Sequence, residues 1–256
     1  MPESAITGRM TPSLEIIEAD ILDRATFHLV QAKVDWGSGE ASDGWGRDAS
    51  RDIAIRKAIS EAVERHCFRK LPPDAVFAPA HELANFLAPE SLYKRNAEQA
   101  PPSLQEPRYW LIANSVLEQG RRTHVLADLV CSPRAFAPDY RASLYAHAST
   151  SGFASATSLD DAILRATLEL VERDAFMRHW FSQQPGVPVD LRSLPRRFGA
   201  RIEALRTAGC EVGLQCLDLG SHATWLAWAQ HEALHFSSIG TACGLDGEAA
   251  LDTAFN

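Results

Sequence analysis

Two copies of an acidic motif, Glu-x-x-Glu-Arg, carry the side chains of this sequence with the clearest potential for chemistry. The motif residues are Glu61, Glu64, Arg65, Glu169, Glu172 and Arg173. Residues three apart share one face of a helix, so the two glutamates of each copy can direct their carboxylates at one point. Four carboxylates from two helices suit a hard divalent cation, and magnesium is the one that also binds phosphates. The spacing therefore favours a magnesium and phosphate site.

The same motif has plainer interpretations that spacing alone leaves open. A single Glu-x-x-Glu-Arg is also typical of the solvated, charged face of an amphipathic helix. Two duplicated helices can also keep a capping and packing pattern without forming any site.

The motif lies inside an internal repeat, which connects the two helices. Residues 44–68 and 152–176 align without a gap at a constant offset of 108, with 11 identities in 25 positions. Each copy starts with glycine, passes through a small polar loop and reaches Ser-x-Asp before a run of strong helix formers. Ser50, Asp52 and their counterparts are therefore candidates to cap the helix starts.

One face of each predicted helix combines small and charged side chains. In the first helix this face is formed by Ala54, Ala58, Glu61 and Arg65. A solvated face needs no alanines, and a buried carboxylate needs a cation or hydrogen-bond donors. The pattern predicts a closely packed face that ends in a charged pocket.

At these residues the sequence resembles the YcaO proteins, from about Gly44 to the C-terminus. The ATP-binding region of that family is built around a Ser-x-x-x-Glu-x-x-Glu-Arg helix and a later Glu-x-x-Glu-Arg helix. The resemblance implies an α/β (α+β) fold, with internally duplicated loop–helix units packed on mixed β-sheet in a single domain over residues 1–256. It also implies ATP and Mg²⁺ as cofactors, with the metal ligands Glu61, Glu64, Glu169 and Glu172.

The resemblance also implies a set of nucleotide contacts, some at positions that depart from the family pattern. Lys57 replaces the motif serine and either contacts a phosphate or faces solvent. Arg47 replaces a lysine and keeps a positive charge for phosphate oxygens. Asp161 replaces a glutamate, and two further residues lie in the loop before the second helix. The implied nucleotide contacts are Arg47, Lys57, Arg65, Ser151, Thr157, Asp161 and Arg173.

The function implied by the resemblance is ATP-dependent activation of peptide backbone amides by O-phosphorylation. The expected reaction is cyclodehydration of Cys, Ser or Thr to azolines in a ribosomally synthesised, post-translationally modified peptide. The expected partners are a precursor peptide, a separate leader-peptide-binding protein and a second copy of the chain in a homodimer. A thioamide-forming relative and a non-catalytic nucleotide-binding or regulatory protein of the same fold are the alternatives.

The end of the sequence differs from the family pattern. Residues 244–256 resemble a loop that leads into a helix, and aligning Ala250 with Ala54 places the next glutamate one position beyond Asn256. Family members continue through a third acidic helix and a tail. We therefore expect this chain to be truncated relative to them.

Composition restricts the class of protein. A chain of 256 residues with 46% hydrophobic content can bury a substantial core, and its net charge of −8 argues against general nucleic-acid binding. The sequence contains neither an apolar run of about 20 residues nor a signal peptide, so we expect a cytoplasmic protein. Its five scattered cysteines predict reduced thiols rather than a zinc site.

Apolar periodicity and turn residues predict the remaining elements. Residues 37–46 are expected to form a glycine and serine loop. The second repeat helix should run to about Phe181, with His179, Trp180 and Phe181 in the core. A further helix is expected at 194–208, ending before Gly209. The predicted strands are 13–21, 26–36, 108–117, 123–131, 211–217, 224–230 and 234–241.

Overall fold

The computed structural model describes residues 12–19, 27–37, 39–92 and 103–255, which form two compact units divided after Ser155. Helices and β-sheets occur in both units, which confirms the predicted α/β class. The named strands of the described residues all pair antiparallel, in three separate sheets. The single-domain organisation stays a prediction.

The first unit contains two three-stranded sheets, with strand orders β1-β2-β3 and β4-β5-β6. Its helices and strands are β1 (Ser13–Glu18), β2 (His28–Gly37), β3 (Glu40–Asp48), α1 (Arg51–Phe68), β4 (Val76–Ala78), α2 (Pro89–Leu92), β5 (Arg108–Asn114), β6 (Arg122–Leu126) and α3 (Pro138–Arg141). The predicted strands 108–117 and 123–131 correspond to β5 and β6, which pair antiparallel.

The second unit contains one four-stranded sheet with the order β10-β9-β8-β7. Its elements are α4 (Leu159–Ser182), β7 (Val187–Pro188), α5 (Arg196–Thr207), β8 (Glu211–Leu219), β9 (Ala223–His231), β10 (Phe236–Gly244) and α6 (Gly247–Phe255). Gly209 adopts a φ of 90° just after α5, as its predicted role at the helix end requires. Side chains of α5, β8 and α6 pack into one hydrophobic core.

The predicted glycine and serine loop at 37–46 is wrong, because most of it belongs to strand β3. Ser42, Gly44 and Gly46 alternate along this strand and are buried, as expected for one face of a strand. The Ser42 hydroxyl donates a hydrogen bond to the Ala62 carbonyl oxygen of α1 at 2.7 Å. The glycines are therefore contact positions for the helix, and they do not serve a turn.

Helix α1 packs unusually close to β3. A Cβ atom on Gly46 would lie 1.8 Å from the Ala54 carbonyl oxygen, and one on Gly44 would lie 2.2 Å from the Ala58 carbonyl oxygen. Ala54, Ala58 and Ala62 are completely buried at this contact. The predicted face of small residues thus brings two backbones together, which is the usual reason for glycine inside a strand.

The second unit repeats this contact between β10 and α6. A Cβ atom on Gly240 would lie 2.1 Å from the Ala254 carbonyl oxygen. An offset of 196 relates Gly240 to Gly44 and Ala254 to Ala58, and the same offset relates the ends of β10 to those of β3. Helix α6 therefore packs on β10 in the way that α1 packs on β3, in agreement with the sequence alignment of the C-terminal residues with α1.

The predicted core position of the aromatic residues at the end of α4 is wrong for two of them. Trp180 and Phe181 are 67% and 76% exposed. His179 Nε2 lies 2.9 Å from the Leu217 carbonyl oxygen of β8, so this side of the helix contacts the strand. Each helical residue is turned about 100° from the one before it, which carries the next two side chains away from the sheet.

A buried polar network around Asp128 fixes the segment at Tyr140 and Tyr145, which precedes the loop before α4. Asp128 accepts hydrogen bonds from the Tyr145 N–H at 2.8 Å and the Tyr140 hydroxyl at 2.9 Å. Arg108 lies 3.6 Å from the same carboxylate. Burial raises the pKa of Asp128 despite these partners. These contacts give Asp128 a structural role.

Two further predictions concern membrane segments and cysteines. Among the described residues, no helix combines the length and the hydrophobicity that a membrane-spanning segment requires. All five cysteines are free thiols, and Cys131 and Cys210 are buried.

The contact between α1 and β3 yields a stability prediction. Replacing Gly46 by alanine should destabilise the fold by about 3 kcal/mol or more, because the added Cβ meets the Ala54 carbonyl group rather than a flexible side chain. Gly199→Ala is the matched control, since a Cβ there meets no atom within 4 Å and alanine favours α5 by about 1 kcal/mol. Urea unfolding of the two variants should show a lower free energy of unfolding for Gly46→Ala and a higher one for Gly199→Ala. Equal midpoints would contradict the close packing.

Candidate functional site

The four motif glutamates lie on two helices, one in each unit. Glu61 and Glu64 are on α1, and Glu169 and Glu172 are on α4. All four side chains are partly buried. Each carboxylate binds neighbours from its own unit, and these contacts orient it.

The Glu61 carboxylate is held against strand β3. Its Oε2 accepts a hydrogen bond from the Trp45 N–H at 2.5 Å, and its Oε1 accepts one from Arg65 Nη2 at 2.7 Å. Trp45 lies between the two glycines that contact α1, so the close helix packing brings this backbone N–H within reach. These two donors fix the orientation of the Glu61 carboxylate.

Arg65 connects the helix to the same strand. Its Nη1 donates to the Asp43 carbonyl oxygen at 3.1 Å and to Asp43 Oδ2 at 3.2 Å, while Nη2 binds Glu61. A planar guanidinium suits such simultaneous contacts. Arg65 therefore fixes Glu61 relative to β3. Contact of Arg65 with a nucleotide stays a prediction.

Glu64 binds the loop that precedes α4. Its Oε1 accepts hydrogen bonds from the Ser155 N–H at 2.7 Å and from the Ser155 hydroxyl at 2.9 Å. The Ser155 hydroxyl is also hydrogen-bonded to the Ser60 hydroxyl, one helical turn before Glu64. Glu61 and Glu64 thus have different neighbours, a strand backbone for the first and a loop serine for the second.

In the second unit, one motif glutamate contacts a strand residue and the other contacts an arginine of its own helix. The Thr241 hydroxyl of β10 donates a hydrogen bond to Glu172 Oε1. Arg173 Nη2 lies 3.5 Å from Glu169 Oε1, and the Arg173 side chain is largely exposed. A strand residue therefore orients one carboxylate of each helix, Glu61 in the first unit and Glu172 in the second.

Lys57 joins α1 to the end of β3. Its Nζ donates to the Arg47 carbonyl oxygen at 3.1 Å and to Asp48 Oδ2 at 2.9 Å. Burial opposes the ionisation of Asp48, but the Ser50 N–H and the Lys57 ammonium outweigh it and keep the pKa of Asp48 below its ordinary value. Lys57 is half exposed and also ion-paired, so it does not simply face solvent. Contacts of Lys57 and Arg47 with phosphate stay predictions.

The serines at the two helix starts and the residues implied in the loop before α4 have local surroundings that the structure shows. Ser158 is the N-cap of α4, and its hydroxyl accepts a hydrogen bond from the Asp161 N–H at 3.2 Å. Ser50 occupies the N-cap position of α1 without a side-chain cap. The Ser151 N–H donates to the Ser149 hydroxyl at 3.3 Å, and Thr157 is exposed. Nucleotide contacts by Ser151, Thr157 and Asp161 stay predictions.

The donor set of each helix fits a magnesium ion that carries a phosphate ligand. Within either unit, the described His, Cys, Asp and Glu side chains include no group of three placed to hold a metal ion. Mg²⁺ usually binds one or two carboxylates together with substrate phosphates and waters, rather than a cage made of protein alone. The two carboxylates of α1, both oriented by hydrogen bonds, meet that need, and on α4 Glu172 is oriented by a hydrogen bond and Glu169 by its ion pair with Arg173. Their convergence on a single ion stays a prediction.

Sequence analysis missed the residues that orient these carboxylates. They are Asp43, Trp45, Ser60, Ser155 and Thr241. The bond to Glu61 uses a backbone N–H, which no side-chain motif records. Ser155 is 91 residues from Glu64 and belongs to the repeat, but its aligned position is Arg47, so the repeat gives no signal for it.

Comparison with known proteins identifies relatives of this chain. The model of the YcaO cyclodehydratase family, described as ATP- and Mg²⁺-binding, matches residues 45–256. An uncharacterised protein of Methanothermobacter thermautotrophicus is 28% identical over 206 residues, which are 80% of this chain and 51% of the relative.

Two solved structures share the fold over 94% of this chain. A heterocyclase in complex with substrate and cofactor has a TM-score of 0.75 at 19% identity, with 36% of its own chain covered. YcaO from Methanopyrus kandleri, bound with AMPPCP and Mg²⁺, has a TM-score of 0.69 at 17% identity, with 59% covered. The chain therefore spans about a third to three fifths of the length of these relatives.

The ion pair between Lys57 and Asp48 yields a titration prediction. Lys57→Met should raise the pKa of the Asp48 carboxyl, because the ionised form loses an ammonium donor. A depressed folded-state pKa stabilises the fold above the unfolded pKa, and this contribution disappears as pH falls. The variant should therefore lose less stability on acidification. NMR titration of Asp48 measures the shift, with exposed Arg56→Met as control, and an unchanged pKa would exclude the ion pair.

Proposed function

This chain belongs to the YcaO family, and from that premise we propose that it binds ATP with Mg²⁺ and activates peptide backbone amides by O-phosphorylation. The product we propose is an azoline, formed by cyclodehydration of Cys, Ser or Thr in a precursor peptide. The observation that carries the proposal is the pair of oriented carboxylates on α1, Glu61 and Glu64.

The hydrogen bonds of the motif carboxylates explain how the chain would bind a charged nucleotide. Bound Mg²⁺ would neutralise phosphate oxygens, with the α1 carboxylates as its ligands in the first unit and the α4 carboxylates in the second. Glu61 is fixed by a strand N–H and by Arg65, while Glu64 is fixed by Ser155. Preorganised ligands of this kind need little rearrangement when a ligand binds, which favours phosphoryl transfer by positioning and charge stabilisation.

The proposed reaction overcomes the poor leaving ability of an amide oxygen. A side-chain thiol or hydroxyl of the peptide loses its proton as its sulfur or oxygen adds to the amide carbon, and the former carbonyl oxygen takes the γ-phosphoryl group of ATP as ADP leaves. The C–O bond then breaks, phosphate departs with that oxygen, and loss of the amide proton leaves the C=N bond of the azoline. One ATP is converted to ADP and phosphate for each water equivalent removed from the peptide.

The substrate and partners belong to the same proposal. We assign a ribosomally made precursor peptide as the substrate and a separate leader-peptide-binding protein as the partner that presents it. One similar structure is a heterocyclase in complex with substrate and cofactor, and another is the E. coli microcin synthetase McbBCD complex with pro-MccB17 bound, which supports a substrate presented within a complex. The motif residues act at the phosphates, so the choice between a Cys, Ser or Thr nucleophile rests on other contacts.

Metal-dependent nucleotide binding provides a direct test of the site. Glu64→Gln and Glu172→Gln should each weaken binding of a non-hydrolysable ATP analogue by about 10-fold or more in Mg²⁺, because a neutral amide is a poor magnesium ligand. Isothermal titration calorimetry with and without Mg²⁺ measures the loss. Glu203→Gln on α5 is the control and should bind as the parent protein does. If both site variants bound the analogue as the parent protein does, the assignment of these glutamates as magnesium ligands would be wrong.

A second experiment tests the reaction itself. The protein with precursor peptide, leader-binding partner, Mg²⁺ and ATP should lower the peptide mass by one water per azoline, with one ATP consumed for each. Mass spectrometry and a phosphate assay follow the two products. Magnesium-dependent ATP binding without turnover or mass loss under these conditions would favour the non-catalytic alternative.

A further inference from the structure

We propose that Ser155 is a positioning residue that fixes the Glu64 carboxylate for magnesium binding. This inference rests on the proposed function, because it assigns Ser155 a role only through Glu64 as a metal ligand. It concerns a serine outside the acidic motif, in the loop that precedes α4.

The first observation is that Ser155 supplies two donors to one oxygen atom. Its N–H and its hydroxyl lie 2.7 Å and 2.9 Å from Glu64 Oε1. A glutamate side chain has three rotatable bonds, and its ordering is costly in conformational entropy. Two bonds from a single residue hold Oε1 in place and so restrict the conformation of the Glu64 side chain.

The second observation is a chain of hydroxyl groups that sets the direction of these bonds. Ser60 and Ser155 are hydrogen-bonded through their hydroxyl oxygens, and the Ser60 carbonyl oxygen lies 3.2 Å from the Ser155 hydroxyl. The Ser155 hydroxyl has one proton, and an ionised carboxylate is a stronger acceptor than a neutral carbonyl. Ser60 therefore donates to Ser155, which donates to Glu64. Such a chain strengthens its last bond by polarisation.

The loop has anchors that do not depend on the Ser155 hydroxyl. The Phe153 ring packs edge-on against Phe68 of α1, with ring centroids 5.3 Å apart. Upstream, the Tyr145 N–H is bound by buried Asp128. Removal of one hydroxyl should therefore leave the loop in place and affect mainly the carboxylate. Partners that orient a metal-binding carboxylate commonly change metal affinity by 10–100-fold when they are lost.

The test is a Mg²⁺ titration of the full chain at a fixed concentration of a non-hydrolysable ATP analogue. Ser155→Ala removes the hydroxyl and keeps the N–H, and we expect the apparent Mg²⁺ dissociation constant to rise about 10-fold. Ser155→Thr restores a hydroxyl and should recover most of the affinity. Ser91→Ala removes an exposed hydroxyl that donates to the Ala88 carbonyl oxygen of its local turn, and this variant should titrate as the parent protein does.

Glu64→Gln in the same titration separates the two proposals. If Glu64→Gln weakens Mg²⁺ binding while Ser155→Ala leaves it unchanged or makes it tighter, the positioning role of Ser155 is wrong and the metal site stands. If Glu64→Gln has no effect, the metal assignment of Glu64 is itself wrong. Ser60→Ala leaves Ser155 intact and removes only the hydroxyl that donates to it, so we expect a smaller loss of Mg²⁺ affinity than for Ser155→Ala. Thermal melting verifies that each variant is folded.

Discussion

The close approach of helix α1 to strand β3 is the constraint on which the site in the first unit depends. Gly44 and Gly46 have no side chains, so the helix backbone reaches the strand with only alanines between them. This distance lets the Trp45 N–H bind a carboxylate of the helix directly. With larger residues in the strand, the helix would move outward and that carboxylate would lose its fixed partner.

Strand β10 shows how the same geometry serves two helices in the second unit. Successive residues of a strand point to opposite faces. Gly240 meets the backbone of α6, and the next residue, Thr241, binds Glu172 of α4. The offset of 196 places Gly240 at the position of Gly44 and Thr241 at the position of Trp45. Both strand positions therefore orient a motif glutamate, through a backbone N–H in β3 and through a side-chain hydroxyl in β10.

Sequence reasoning succeeded where local chemistry decides the structure. Ser158 begins α4 as an N-cap, and alanines four apart mark the buried face of α1. It failed where the same residue type has two uses, since Gly44 and Gly46 favour a turn as readily as a close backbone contact. It also failed for Trp180, because hydrophobicity alone does not show which side of a helix end meets the sheet. Contacts that join distant residues, such as Ser155 with Glu64, leave no local pattern at all.

The substitution at the first motif position can be understood from the same packing. Lys57 stands where the resemblance implies a serine, and its ammonium binds both the Arg47 carbonyl and the Asp48 carboxylate. It therefore ties the end of β3 to α1, close to the connection that leads from strand to helix. The contact with Arg47 is to its backbone carbonyl, and the Asp48 carboxylate is paired with the ammonium, so the lysine serves first to join strand and helix. Its side chain is half exposed at this junction, so this departure from the family pattern is compatible with a nucleotide site.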